Sequence, residues 1–279
     1  MLGYVCKYTP MELFEAMDTE ITRLEPSVTD FNHADTLMHA NICSYTKAVL
    51  EDVMEHDYEG VILTTCCDSI RRLYDTLKSQ FPDKFFFLLD IPRKFNDFAV
   101  ALYERQLKQM LTEYEAFSGK TLDLKRFVSM MQNKAALKKQ ENTRMSASAA
   151  SEKGNGQKLN IGIMGARCNN EIRQLLVDRG ANLLFDLTCT GLARDFSITE
   201  DQALHSYAAA LLNQIPCMRM LKAANREHFL DGFTDRLDGI IYHTVKFCDS
   251  YSYEYADFRQ RLDLPILLVE TDSTRQCAG

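Results

Sequence analysis

Short, continuous apolar runs alternate with helix-patterned stretches along most of this chain, and that alternation limits the fold more than any other feature. GVILTTCC, FFFLLDIP, KLNIGIMGA, ANLLFDLTC, LDGIIYHTVKFC and LPILLVE read as strands, and MLGYVCKY opens the chain as another. Unbroken apolar runs of this length suit strands covered on both faces, as in parallel sheets. Between them PMELFEAM, Asn41 to Val53, DSIRRLYDTLKSQF, Tyr103 to Phe117, NNEIRQLLVDRG and DSYSYEYADFRQRL read as helices. Strand and helix in alternation build parallel α/β units. The expected fold is α/β, with two Rossmann-like or flavodoxin-like doubly wound domains.

The pattern dissolves once, in KAALKKQENTRMSASAASEKGNGQK, which is polar and rich in small residues. The chain therefore divides into an N-terminal α/β domain over residues 1–133, a linker or mobile segment over 134–158, and a C-terminal α/β domain over 159–279. With 279 residues, 46% of them hydrophobic, each domain can bury a core.

The net charge of −7 comes with no basic block, which excludes nucleic acid as a partner, because phosphate binding needs clustered cations. The N-terminus lacks a basic segment followed by an apolar one, and no apolar run of membrane-spanning length occurs. A cytoplasmic location away from membranes is expected. In such a place the nine cysteines are thiols rather than disulfides, free to bind metal or do chemistry.

Cys66, Cys67, Cys189 and Cys248 fall at the ends of expected strands, where loops of an open α/β sheet converge on the ligand crevice. Cys43 and Cys67 also fall at expected helix N-termini, where free N–H groups favour a thiolate. Soft thiolates select zinc or iron–sulfur clusters, and the wide spacing here does not choose between them. A single buried cysteine is also an ordinary small apolar side chain. That structural reading is the one given to Cys6, which alternates within the first strand, and to Cys168 and Cys277, which lie in polar loops. Asp68 reads as a helix cap.

GYVCKYTPMELFEAM, NICSYTKAVLED, GVILTTCCDSIRRLYDTLK, IPRKFND, DLTCTGLARD, PCMRMLKAANREHFL, DGIIYHTVKFCDSY and LPILLVETDSTRQCAG follow one another in this order. In that order and spacing the chain resembles the 2-hydroxyacyl-CoA dehydratase and benzoyl-CoA reductase family, including its double-cubane cluster proteins, over nearly its whole length. The resemblance implies a 4Fe–4S cluster between the two domains, held by Cys43, Cys67 and Cys248. It implies a lyase subunit that eliminates water from a hydroxyacyl-CoA through a ketyl radical, in anaerobic surroundings. Its partners would be a paralogous subunit or second copy and a separate ATP-dependent iron–sulfur activator; GIMGA is too short and glycine-poor to cradle a phosphate itself.

The surplus cysteines Cys66, Cys189 and Cys217 leave open an 8Fe–9S double cubane and a reductase activity, against which the adjacent Cys66 and Cys67 would point to opposite faces of their strand. Ser44 and His243 are the candidate catalytic groups, with His243 able to relay a proton or else simply a core histidine. Lys246 and Glu270 are further polar groups near expected element ends. The family continues beyond TDSTRQCAG, so a truncated C-terminal end is expected. A zinc-binding structural protein and a non-catalytic scaffold subunit are the readings of another class.

Overall fold

The computed structural model describes residues 1–148, 158–168, 170–191, 196, 198–220 and 229–274. Two four-stranded, all-parallel sheets organise it. The first runs in the order β2-β1-β3-β4, with β1 Leu2–Tyr4, β2 Ile21–Arg23, β3 Gly60–Thr64 and β4 Phe85–Leu89. The second repeats that order as β6-β5-β7-β8, with β5 Asn160–Gly165, β6 Asn182–Thr188, β7 Gly239–Val245 and β8 Ile266–Thr271. This is the flavodoxin-like order, and each sheet has its topological switch point beside its first strand. The α/β, doubly wound expectation is therefore met twice.

The first sheet is buried on both faces, because successive side chains in a strand point opposite ways. Ile62, Phe85, Phe87 and Leu89 join one core cluster. Val61, Leu63 and Phe86, the intervening residues, join the other. The second cluster is closed by α3 (Ser44–Glu55) and α4 (Asp68–Gln80), with α2 (Asn32–Leu37) beside α3. Along α4 the spacing of Ile70, Leu73 and Leu77 makes one buried stripe, and Asp68 and Lys78 sit at the ends that the helix dipole favours.

The first cluster is closed by α1 (Met11–Ala16), α5 (Asp97–Ser118) and the start of α6 (Leu124–Ser148). Asn96 caps α5, its side chain accepting the Ala99 N–H at 2.9 Å, and Gly119 ends it with φ of 71°. The polar stretch expected to begin a linker at 134 is helical as far as Ser148, as the last part of α6. Residues 149–157 of that stretch lie outside the described residues.

Phe196 and α8 (Ala203–Leu212) come after this stretch in sequence but pack into the first cluster, beside α5. Their apolar surface, notably Tyr207 and Leu211, completes a core begun by the N-terminal residues. The second sheet packs Met164, Phe185, Leu187, Ile240 and Tyr242 against α9 (Asp249–Arg261) through Tyr251 and Phe258. Helix α7 (Asn170–Asp178) has no buried residue. Among the described residues no helix is long and apolar enough to cross a membrane.

Candidate functional site

The carboxyl ends of both sheets face one cavity of about 110 Å³. Cys6 and Lys7 follow β1, Cys66 and Cys67 follow β3, Ala166 and Arg167 follow β5, and Cys189 follows β6. Cys43, Cys217, Arg219 and Cys248 also line it, so seven cysteines from both halves of the sequence share one cavity. Organic ligands usually fill pockets of roughly 300–1,000 Å³. A cavity this small and this rich in thiols suits a compact, thiophilic group.

Cys43, Cys67 and Cys248 each occupy the N-cap position of a helix, of α3, α4 and α9 respectively. The N–H groups of Thr46, Ile70 and Tyr251, three residues on in each case, favour the ionised sulfur without closing a full capping hydrogen bond. The S–H of Cys248 donates to Cys43 and pulls the Cys43 thiol down to about 7, while the same contact and burial push Cys248 up. Cys66 does the same for Cys67, whose thiol is lowered while its own is raised well above the ordinary value. Burial pushes Cys6 and Cys189 up to about 12. The Cys189 sulfur also meets the Tyr251 hydroxyl at 2.7 Å.

Two guanidinium groups balance these sulfurs. Arg167 lowers Cys189 and stacks its charge 4.2 Å from the centre of the Tyr45 ring. Arg219 lowers Cys66 and Cys67, and its Nη1 is buried with no hydrogen-bond partner among the described residues.

Several sequence expectations need correction. Cys6 was assigned to the strand core, yet β1 ends at Tyr4 and the thiol lines the cavity. Cys66 and Cys67 were expected to alternate across a strand, but β3 ends at Thr64 and both lie in the following turn, free to face the same way. Asp68 is exposed and does not cap α4; Cys67 holds that position. Cys168 lies not on a polar surface but fully buried, and burial raises its thiol to about 11. Cys277 lies outside the described residues.

Ser44 and His243 do not line the cavity. Ser44 is buried, its N–H donating to the Lys246 carbonyl at 3.1 Å. His243 is 1% exposed within β7, with Nε2 3.0 Å from the Thr271 hydroxyl and Nδ1 without a hydrogen-bond partner among the described residues. Lys246 and Glu270 are exposed. Arg167 and Arg219 were missed by the sequence reading, since no motif singles out an arginine that follows a strand or loop.

Burial holds the His243 imidazole down at about 4 against an ordinary 6.5, with the carbonyls of Ala166 and Arg167 opposing the shift. Between those two values the unfolded chain binds the extra proton, so His243 withdraws stability as pH falls and withdraws none above about 6.5. Moving from pH 7 to pH 5 should cost about 2 kcal/mol through this group. Urea unfolding of His243→Gln should show a correspondingly shallower loss over that interval. Equal losses in variant and parent would refute the assignment.

A larger, open groove of about 650 Å³ lies between α5, α6 and α8. Within it Glu104 accepts from His205 at 2.8 Å and pairs with Lys108 at 2.7 Å. It converges no reactive groups, so the cysteine cavity is the candidate site.

No curated protein matches the chain. The family model of the 2-hydroxyglutaryl-CoA dehydratase D-component matches it twice, over residues 6–155 and 128–278, which together span the seven cavity cysteines and every strand but β1. The chain belongs to the 2-hydroxyglutaryl-CoA dehydratase D-component family and is a dehydratase-type component.

Proposed function

We propose that this chain is the iron–sulfur subunit of a 2-hydroxyacyl-CoA dehydratase-type enzyme, with Cys43, Cys67 and Cys248 as the first ligands of a 4Fe–4S cluster. The observation that carries the reading is the convergence of these three N-cap thiols, from three helices and both sheets, on one small cavity. The bound cluster would supply a low-potential electron to a thioester carbonyl, allowing a ketyl radical to expel the neighbouring hydroxyl.

The chain's own residues fit such a group. A cluster carries its thiolates on different irons, whereas zinc gathers its ligands onto one ion. Among the described residues no three His, Cys, Asp or Glu side chains are grouped to hold a single metal ion. The helix N-termini and the two arginines offset the negative charge of several thiolates. A separate ATP-hydrolysing activator would deliver the electron, and a paralogous subunit or second copy would complete the enzyme that takes the acyl-CoA.

A second reading is supported by a specific observation. Cys66, Cys189 and Cys217, with Cys6, line the same cavity as the first three, which is enough thiols for an 8Fe–9S double cubane and a reductase. Iron and sulfide content and the visible spectrum of the anaerobically purified protein test both. About four irons per chain, lost in Cys43→Ala, Cys67→Ala and Cys248→Ala, are expected for the single cubane. About eight, sensitive also to Cys189→Ala and Cys217→Ala, would select the double cubane. Zinc or no metal would overturn both.

A further inference from the structure

Arg219 is half-buried, and its buried Nη1 finds no acceptor among the described residues. It reaches the cavity from the segment after α8, not from either sheet. A buried charged donor without a partner is costly, and native structures seldom keep one without a use. The neighbouring sulfurs do not relieve it. Cys66 and Cys67 feel its charge but take no hydrogen bond from it, and the Cys66 S–H is directed to Cys67. The second arginine of the cavity is already occupied: Arg167 donates to the Leu24 carbonyl at 3.0 Å and to the Val5 carbonyl. Arg219 is thus the one of the two whose free N–H awaits an acceptor brought by the cavity's occupant.

We propose that Arg219 is a positioning residue that donates this free N–H to an anionic sulfur of the cluster bound at the Cys66–Cys67 end of the cavity. The inference rests on the iron–sulfur reading and adds a residue that holds the group and sets its electron affinity. Net charge and hydrogen bonds to sulfur are main determinants of a cluster's reduction potential. A guanidinium there stabilises the more negative, reduced form and raises the potential.

Two measurements on the full-length chain test it, neither requiring turnover. In the first, wild type, Arg219→Met and Arg219→Gln are loaded with iron and sulfide without oxygen and titrated reductively under spectroscopic observation, with no substrate present. Both variants should reduce at more negative potential than wild type, and Arg219→Lys should stay nearer to it. Equal potentials in loaded wild type and Arg219→Met would overturn the proposal and point instead to a substrate oxygen as the acceptor.

In the second, melting of the metal-free proteins is compared. Removing a donor that lacks a protein partner should leave the metal-free melting temperature unchanged or raise it. A clear fall, or failure of both neutral variants to fold, would mean that Arg219 supports the empty fold and would overturn the proposal. Wild type that takes up no iron would instead defeat the iron–sulfur reading itself, so the two failures are distinct.

Discussion

Alanine at Gly165 is expected to destabilise the protein by about 3–5 kcal/mol, combining backbone strain with a backbone clash. Gly165 ends β5 with φ of 107°, outside the range that L side chains readily adopt. A Cβ there would lie 2.1 Å from the His243 carbonyl oxygen. That oxygen cannot turn aside cheaply, because it accepts the Ala166 N–H at 2.7 Å and belongs to the register that pairs Gly165 with His243. Gly180→Ala is the control: its φ of 76° is also positive, but nothing lies within 4 Å of the added carbon. The control should cost only about 1 kcal/mol. Denaturant midpoints at constant slope would separate the two effects. A Gly165→Ala loss no larger than the control's would refute the close approach at the β5–β7 switch point.

The residues just past Gly165 are the ones that matter to the site. Ala166 and Arg167 line the cavity, and a shift of this turn would carry them with it. Under the iron–sulfur proposal, stability and cluster retention should therefore fall together in Gly165→Ala, whereas Gly180→Ala should lose a little stability and keep the cluster.

The sheets were legible in the sequence because their strands are unbroken apolar runs, and burial on both faces needs such runs. β2 was not, since Ile21–Arg23 is three residues long and only partly buried. α2 and α8 left too little pattern to be assigned. In α8, ALHSYAAALL, the run of alanines blurs the polar face that would have marked it. That helix also shows what sequence order hides: it follows the expected linker, yet its apolar side belongs to the N-terminal core.

At the site, the rule that strand ends carry function found Cys66, Cys67, Cys189 and Cys248. Cys6 escaped it because the expected strand was drawn two or more residues too long, which turned a loop thiol into a core one. The same misplacement produced the idea that Cys66 and Cys67 face opposite ways. Ser44 and His243 show the converse error, where proximity in sequence to the site was taken as access to it. Ser44 lies one residue from a cavity thiol but turns to the Lys246 carbonyl, and His243 is shielded within the sheet.

Arg167 makes a sharper case, since it holds the two halves of the cavity together. It stands after β5 of the second sheet, yet its donors go to the Val5 and Leu24 carbonyls at the ends of the first. Its guanidinium stacks on Tyr45 of α3 and lies 3.8 Å from Glu25. The ion pair is partly exposed and adds little, but hydrogen bonds from a charged donor are worth roughly 1.5–3 kcal/mol each and the stacking somewhat less. Arg167→Met keeps much of the stem's apolar contact and loses all of these, so about 3 kcal/mol of closure should be lost after allowing for non-additivity.

Each 1.4 kcal/mol is tenfold in an opening equilibrium, and reagents that reach buried groups through local opening report that equilibrium directly. Labelling of the cavity thiols by a bulky maleimide in the metal-free protein should therefore quicken by roughly 100-fold in Arg167→Met. Arg167→Lys should fall between, because one ammonium cannot serve two carbonyls and an aromatic face together. The fully buried Cys168 serves as an internal reference, since its thiol lies outside the cavity lining. If Cys168 quickens as much as the cavity thiols, the variant has loosened the second sheet as a whole and the bridging role of Arg167 is wrong. If the cavity thiols quicken alone, Arg167 is a clasp that holds the two sheets over the site, beside the Ser44 N–H bond to the Lys246 carbonyl.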